Sequence, residues 1–311
     1  MSGLHRFAIF TACLTLVLLM AGALVTSNEA GDSVPDWPLS FGRWLINSDY
    51  FRANVRYEYS HRFIAGIVGG ATLILAVWTW VADRRRWMRW LAAVAFGGVA
   101  AQAAIGGLRV LLPGYKPLIA VPHALIAQSF FAVLVSIAVF TSRRWQTDRE
   151  VKPDLGRPSL RRLAAATVAA VLVQLVLGAG FRHQAFGITP HIIGAIVVAA
   201  LVFWTSMATL TRHAQENYLT RPAQTALCLV IIQLCLGVVT YVARLRSMGD
   251  PQPLEPMISL TVAHLVVGAL TLAAMVMLTL RTYQALAPAR GTAAAPAGPK
   301  VIVSSEGSVT A

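Results

Sequence analysis

VRYEYSHRFIAG, Val55 to Gly66, opens a long apolar run and carries Glu58, His61 and Arg62 into it. Ionisable groups are costly in hydrocarbon and are rare there unless they face a partner, water or a cofactor. The rest of the chain says that hydrocarbon is the setting. Its 311 residues are 57% hydrophobic and 13% charged, against roughly 25% charged in a soluble domain. Eight stretches, at about 7–27, 61–82, 90–112, 119–140, 163–181, 189–210, 223–243 and 257–280, come close to the ~20 apolar residues a helix needs to cross a bilayer. The short alternating strands of a membrane barrel are not seen. The first stretch follows His5 and Arg6 as a signal peptide would. Its apolar run from Phe7 to Val25 nevertheless exceeds the ~7–15 residues usual for such peptides, and it is read as a span. The sequence predicts an all-α membrane protein with eight transmembrane helices.

The net charge of +13 suggests nucleic acid until the basic residues are placed. On this topology most of the 26 Lys and Arg fall on one face: Arg6, Arg84, Arg85, Arg86 and Arg89, the group from Arg143 to Arg162, then Arg212, Arg221, Arg281, Arg290 and Lys300. Arg43, Arg52, Arg56, Arg62, Arg109, Lys116, Arg182, Arg244 and Arg246 fall on the other. The positive-inside rule puts the first face, with both termini, in the cytoplasm. The charge is a topology signal, and no nucleic-acid partner is expected. Cys13, Cys228 and Cys235 lie inside spans, where thiols are expected to serve as small buried hydrophobes.

A repeat runs beneath the spans. Gln102–Gly107 (QAAIGG), Gln174–Gly180 (QLVLGAG) and Gln233–Val239 (QLCLGVV) share Gln-x-x-x-Gly near the outer end of an odd-numbered helix. A loop follows each, then an even-numbered helix with His123, His191 or His264 near its outer start. In the first pair Gly22 stands without the glutamine, and His61 opens the second helix. The rhythm predicts two pseudo-repeated four-helix bundles: residues 1–141, a linker at 142–162 with Pro153 and Pro158, residues 163–283, and a disordered tail at 284–311 rich in Ala, Pro and Gly.

One histidine near a helix end is more often interfacial or hydrogen-bonded than a ligand, and His5, His183 and His213 are read that way. His61, His123, His191 and His264 share a context. Four residues on, each has a small residue on the same helix face, Ala65, Ala127, Ala195 and Gly268, which leaves room for a flat ligand. Small residues also help membrane helices to pack. Structural zinc wants four converging ligands, whereas haem needs two opposed axial ligands and a slot. One bis-histidine haem pocket per half follows. Arg109, Arg182, Arg244 and Arg246 lie at the histidine level and suit either lipid headgroups or haem propionates. Only His61 has a carboxyl one turn away, in Glu58; the counterparts are Ala120, Ile188 and Thr261. Glu58 either orients His61 or pairs with Arg62, or else it transfers a proton beside a bound substrate.

GALVT (Gly22–Thr26), PDWPLSFG (Pro35–Gly42), EYSHR (Glu58–Arg62), PHALIAQ (Pro122–Gln128), TPHIIGA (Thr189–Ala195) and AHLVVGA (Ala263–Ala269) together resemble the haem A synthase family, membrane enzymes that oxidise haem O to haem A for terminal oxidases. The resemblance covers the chain to about residue 283. It implies that His191 and His264 hold the iron of a haem B cofactor, with Arg182 and Arg244 beside it. It implies that His61 and His123 face the substrate haem O, that Glu58 stands near the site of oxidation, and that the C8 methyl becomes a formyl group through hydroxylated intermediates. A plasma-membrane location, a haem O synthase and a quinol or other electron donor are implied as well; self-association stays open. Many members carry a cysteine pair flanking the P-D-W-P-L word. Here the flanks are Val34 and Ser40, so a redox switch through that disulfide cannot operate, and Trp37 is expected to anchor the loop. A non-catalytic bis-histidine membrane cytochrome b and a haem-binding assembly module are the competing readings.

Overall fold

A computed structural model of the chain describes residues 2–147, 150–154, 156–247, 250 and 254–288. Eight of its helices are long and apolar enough to cross a membrane. They are α1 (Gly3–Ser27), α2 (Val55–Ala82), α3 (Arg86–Leu111), α4 (Lys116–Thr141), then after the short α5 (Arg143–Gln146), α6 (Leu160–Arg182), α7 (Thr189–Arg212), α8 (Asn217–Arg246) and α9 (Glu255–Ala285). This is an all-α membrane protein. Several helices outrun the apolar stretches that announce them. Backbone hydrogen bonding continues as long as the flanking Arg and Tyr side chains can reach the headgroup level, so α2 begins six residues before His61.

Local chemistry fixes the ends. Ser2 Oγ accepts from His5 N at the start of α1, and Pro occupies the first turn of α4, α7 and α9, where its missing N–H costs nothing. Inside the spans, Thr11, Thr15, Thr72, Thr167 and Thr209 return their hydroxyls to the carbonyl one turn back, which satisfies a polar group that hydrocarbon cannot. Thr167 and Thr205 also meet across α6 and α7 at 2.7 Å. His5 packs in the same manner, its Nδ1 3.3 Å from Thr141 Oγ1.

The packing repeats. α1 packs on α2, α2 on α3, α3 on α4 and α4 on α1; likewise α6 on α7, α7 on α8, α8 on α9 and α9 on α6. Each half is a closed ring of four helices, joined through α4 with α6, and α9 with α1 and α4. Val68, Leu75, Met88, Leu134, Val202, Leu272 and Met275 form one core shared by both. Around it Trp80, Trp90, Val94, Ile193, Ile196 and Val238 are exposed, as suits a lipid-facing surface. Cys13, Cys228 and Cys235 are exposed too. They face lipid and are not part of the packed interior, because the helix stripe on which each falls points away from the ring.

On the face opposite the histidines, here called the linker face, Lys152–Asp154 (β1) pairs in parallel with Leu286–Pro288 (β2). Asp154 is buried and accepts from Leu160 N at 3.1 Å and Arg161 N at 3.0 Å, capping α6. The residues just after the last span, placed by the sequence in a disordered tail, are therefore ordered as far as 288: Leu286 is buried against Leu160 and Leu163. The rest of that tail, with Arg290 and Lys300, and Arg149 of the linker, lie outside the described residues.

Candidate functional site

His61 is on α2 and His123 on α4; His191 is on α7 and His264 on α9. In each four-helix ring these are diagonal corners, so each half aims two imidazoles into its own interior. The rings of His191 and His264 have centroids 6.3 Å apart at an interplanar angle of 76°. His61 and His123 lie close enough for their charges to interact.

The reason for the recurring glycine is now visible. A Cβ on Gly22 would meet His61 Cε1 at 3.1 Å, on Gly106 His123 Cε1 at 3.3 Å, on Gly178 His191 Cε1 at 3.0 Å, and on Gly237 His264 Cε1 at 3.2 Å. Each imidazole edge lies on a bare patch of the preceding helix. The glutamine one turn before the glycine braces the same neighbour. Gln102 Nε2 donates to His123 O at 3.0 Å. Gln174 Nε2 donates to His191 O and to its Nδ1, both at 2.9 Å, and Gln233 Nε2 donates to His264 Nε2 at 3.1 Å. The sequence displayed Gln-x-x-x-Gly without its purpose. Of the small residues four positions after the histidines, Gly268 packs on the side chain of Gln233, while on α7 it is Gly194, the residue before Ala195, that packs on Gln174.

Glu58 is buried, 4% exposed, and both its oxygens are engaged. Oε2 accepts from Ser33 Oγ at 3.0 Å and Val34 N at 2.9 Å, and Oε1 from Arg62 Nη2 at 2.6 Å. Arg62 also donates to the carbonyls of Val34, Asp36 and Leu39. Both flanks of the P-D-W-P-L word, Val34 and Ser40, are buried, and one guanidinium ties the Val34 carbonyl to those of Asp36 and Leu39. Asp36 continues the lock, accepting from Phe41 N and Gly42 N at 2.7 Å each. The Trp37 ring lies flat on Gly107, next to the glycine that carries His123. The first outer loop is thus the roof of the N-terminal pocket.

The arginines divide. Arg109 Nη1 donates to Gly31 O at 3.0 Å and helps to hold the roof. Arg182 Nη2 donates to Ser27 Oγ at 2.7 Å and Ala23 O at 3.1 Å, stapling α6 to α1 across the two halves. Arg244 is exposed, with its guanidinium 4.7 Å over the Phe181 ring. His183, read from the sequence as an ordinary loop residue, sits in the same seam. Burial pushes its pKa down to about 4, with Arg182, Arg109 and His123 adding to the shift, so it is neutral at pH 7. Nothing in its sequence context repeats, which is why pattern reading passed over it.

A family model described as cytochrome oxidase assembly protein matches residues 45–190. A curated haem A synthase from Alkalihalophilus pseudofirmus is 32% identical over 149 residues, 46% of this chain and 49% of its own. One from Exiguobacterium sibiricum is 28% identical over 184 residues, 58% and 60% of the two chains. One from Symbiobacterium thermophilum is 26% identical over 269 residues, 76% and 85%. Over the matched stretches the chain is similar to these haem A synthases. It spans about half the length of the first of these relatives and three fifths of the second.

The side chains gathered here fit a haem. Two imidazoles sharing one iron from opposite sides need centroids about 6 Å apart, given metal–nitrogen bonds of about 2 Å, and His191 and His264 stand at 6.3 Å. Nδ1 of His61, His123 and His264 is buried without a hydrogen-bond partner, a costly state that a bound group relieves. Among the described residues no three His, Cys, Asp or Glu side chains gather as a metal cluster; the donors come in pairs.

Proposed function

We propose that this chain is a haem A synthase: it oxidises the C8 methyl of haem O to the formyl group of haem A through hydroxylated intermediates, with haem B as electron-transfer cofactor. The observation that carries the reading is the doubled diagonal pair of glycine-cradled histidines, with the N-terminal pair under the loop that Glu58 and Arg62 hold.

His191 and His264 hold haem B, which when bound supplies one-electron chemistry. His61 and His123 receive the substrate haem. Arg182 and Arg244 would be the residues to pair with the carboxylates of a bound haem. The roof, fixed by Glu58, Arg62, Asp36 and Trp37, excludes water from the reacting edge. Glu58 stands one turn from His61, and for a proton to move at Oε1, Arg62 must first withdraw. The positive-inside rule favours a plasma-membrane orientation with the linker face cytoplasmic. Haem O synthase and a quinol or similar donor are the partners this activity requires.

The full engagement of Glu58 also favours a second reading, a bis-histidine cytochrome or haem-binding module in which Glu58 only holds the loop. Haems extracted from membranes of a host that makes haem O but not haem A separate the two. A formyl or hydroxylated haem that appears only with this protein establishes the synthase. Bound haem B with haem O unchanged removes it.

A further inference from the structure

At the linker face the turn between α2 and α3, together with the short α5, forms an open cavity of about 380 Å3 lined by Ala82, Asp83, Arg84, Arg85, Trp145 and Gln146. Its acid is already neutralised. Arg85 donates to Asp83 through Nε at 3.0 Å and Nη2 at 2.6 Å, and Nη2 also reaches Phe140 O at 3.0 Å. Arg89 Nε donates to the Asp83 carbonyl at 2.8 Å. Arg85 and Asp83 are thereby the frame of the cavity, and the remaining charge is available. Arg84 on the lining, Arg86 at the start of α3, and Arg143 and Arg144 just before Trp145 are exposed, and none is ion-paired to an acid among the described residues. A concave site lined by the unpaired Arg84, with Arg86, Arg143 and Arg144 next to lining residues in the chain and the N-terminus of a long helix beside it, attracts a phosphate.

The surroundings say which phosphate. Trp145, which lines the cavity, meets Phe140 edge to face, and Phe140 meets Trp87 in the same way, with centroids 4.7 and 4.9 Å apart. Tryptophans of this kind mark the level of the headgroups. Val81, adjacent to the lining residue Ala82, is 79% exposed, and Trp78, Trp80 and Trp90 are exposed beside it. An apolar track therefore leads from the cavity along α2 and α3, where acyl chains can lie. We propose that this cavity binds the phosphate headgroup of an acidic phospholipid, with Arg84 lining it and Arg143 and Arg144 flanking it. The site lies on the opposite face from the histidines and stands independently of the haem reading.

The test uses the full chain in phosphatidylcholine nanodiscs containing phosphatidylglycerol, with lipid retained after release counted by native mass spectrometry. The unaltered protein is expected to retain phosphatidylglycerol over phosphatidylcholine, and R84Q and R144Q are each expected to lower retention by roughly fivefold, one cation's contribution near a membrane surface. R84K restores most of it, and R52Q, which alters an exposed arginine on the histidine face, changes nothing. Circular dichroism on each variant shows that the helices persist. Equal retention in the R84Q/R144Q double variant, or a loss in R52Q as large as in R84Q, overturns the proposal. Inorganic phosphate at millimolar concentration should not displace the lipid. If it does, the cavity reads a free phosphate, and the lipid assignment is withdrawn.

Discussion

Arg62 and Glu58, one helical turn apart on α2, form a 2.6 Å ion pair whose remaining hydrogen bonds all go to the first outer loop. The pair belongs to the roof as much as to the pocket. From the sequence Glu58 either orients His61, pairs with Arg62 or transfers a proton beside a substrate; in the fold it is a clasp, paired with Arg62, and both its oxygens are taken.

The clasp predicts that R62A is as damaging as E58A. Removing the guanidinium strands a buried carboxylate, at a cost of about 3–5 kcal/mol, and frees the loop carbonyls. Hydrogen exchange across residues 33–42 should rise sharply in both variants. E58Q keeps one acceptor oxygen but turns an NH2 toward a donor, so it should loosen the loop less than E58A does. If E58Q also retains haem O oxidation, Glu58 is a positioning residue; if oxidation alone is lost, proton transfer at Glu58 is restored to the mechanism.

Alanine at the cradle glycines should separate the two pockets. A Cβ at about 3 Å from an imidazole carbon forces the ring aside, at a cost of about 1–3 kcal/mol. G178A and G237A should release haem B, seen as lost absorbance in the purified protein. G22A and G106A should keep that absorbance and lose conversion of haem O. A G178A protein with full haem content would show that the C-terminal ring does not use His191.

Gln174 and Gln233 touch imidazole nitrogens, while Gln102 reaches only a backbone carbonyl. Partners of metal-bound histidines are worth roughly 10–100-fold in metal affinity. Q174L and Q233L should weaken haem retention to that extent and shift the absorption spectrum and midpoint potential of the haem that remains. Q102L should leave all three unchanged.

Acid should open the roof through Asp36. Burial pushes its pKa up, but the amides of Gly42 and Phe41, with Arg62 nearby, outweigh that and hold it below the ordinary carboxylate value. A depressed folded-state pKa contributes stability above the unfolded value, and that contribution is lost as pH falls through the folded one. The Phe41 and Gly42 amides should therefore stay protected through neutral and mildly acidic pH and exchange faster only in strong acid. D36N, which keeps one acceptor oxygen, should remove the pH dependence and leave one of the two amides exchanging faster at every pH.

Eight spans, their pairing into halves and four histidines at one level were legible in the sequence because hydrocarbon imposes length and composition on any chain that crosses it, and a duplicated unit leaves a periodic trace. Gly22, Gly106, Gly178 and Gly237 were visible as letters in that trace. That each receives an imidazole edge was not, since the contact joins different helices and depends on how closely they approach. The roles of Arg109, Arg182 and Glu58 were likewise hidden: a charged side chain at a helix end reads the same whether it meets a propionate, a headgroup or a loop carbonyl. The sequence by itself determined a membrane bundle with four histidines set in two pairs. Only the tertiary structure decided that the pairs lie on diagonal helices, that one pocket is roofed by an Arg62–Glu58 clasp, and that His183 lies in the seam, because ring closure and loop docking are set by contacts between residues far apart in the chain.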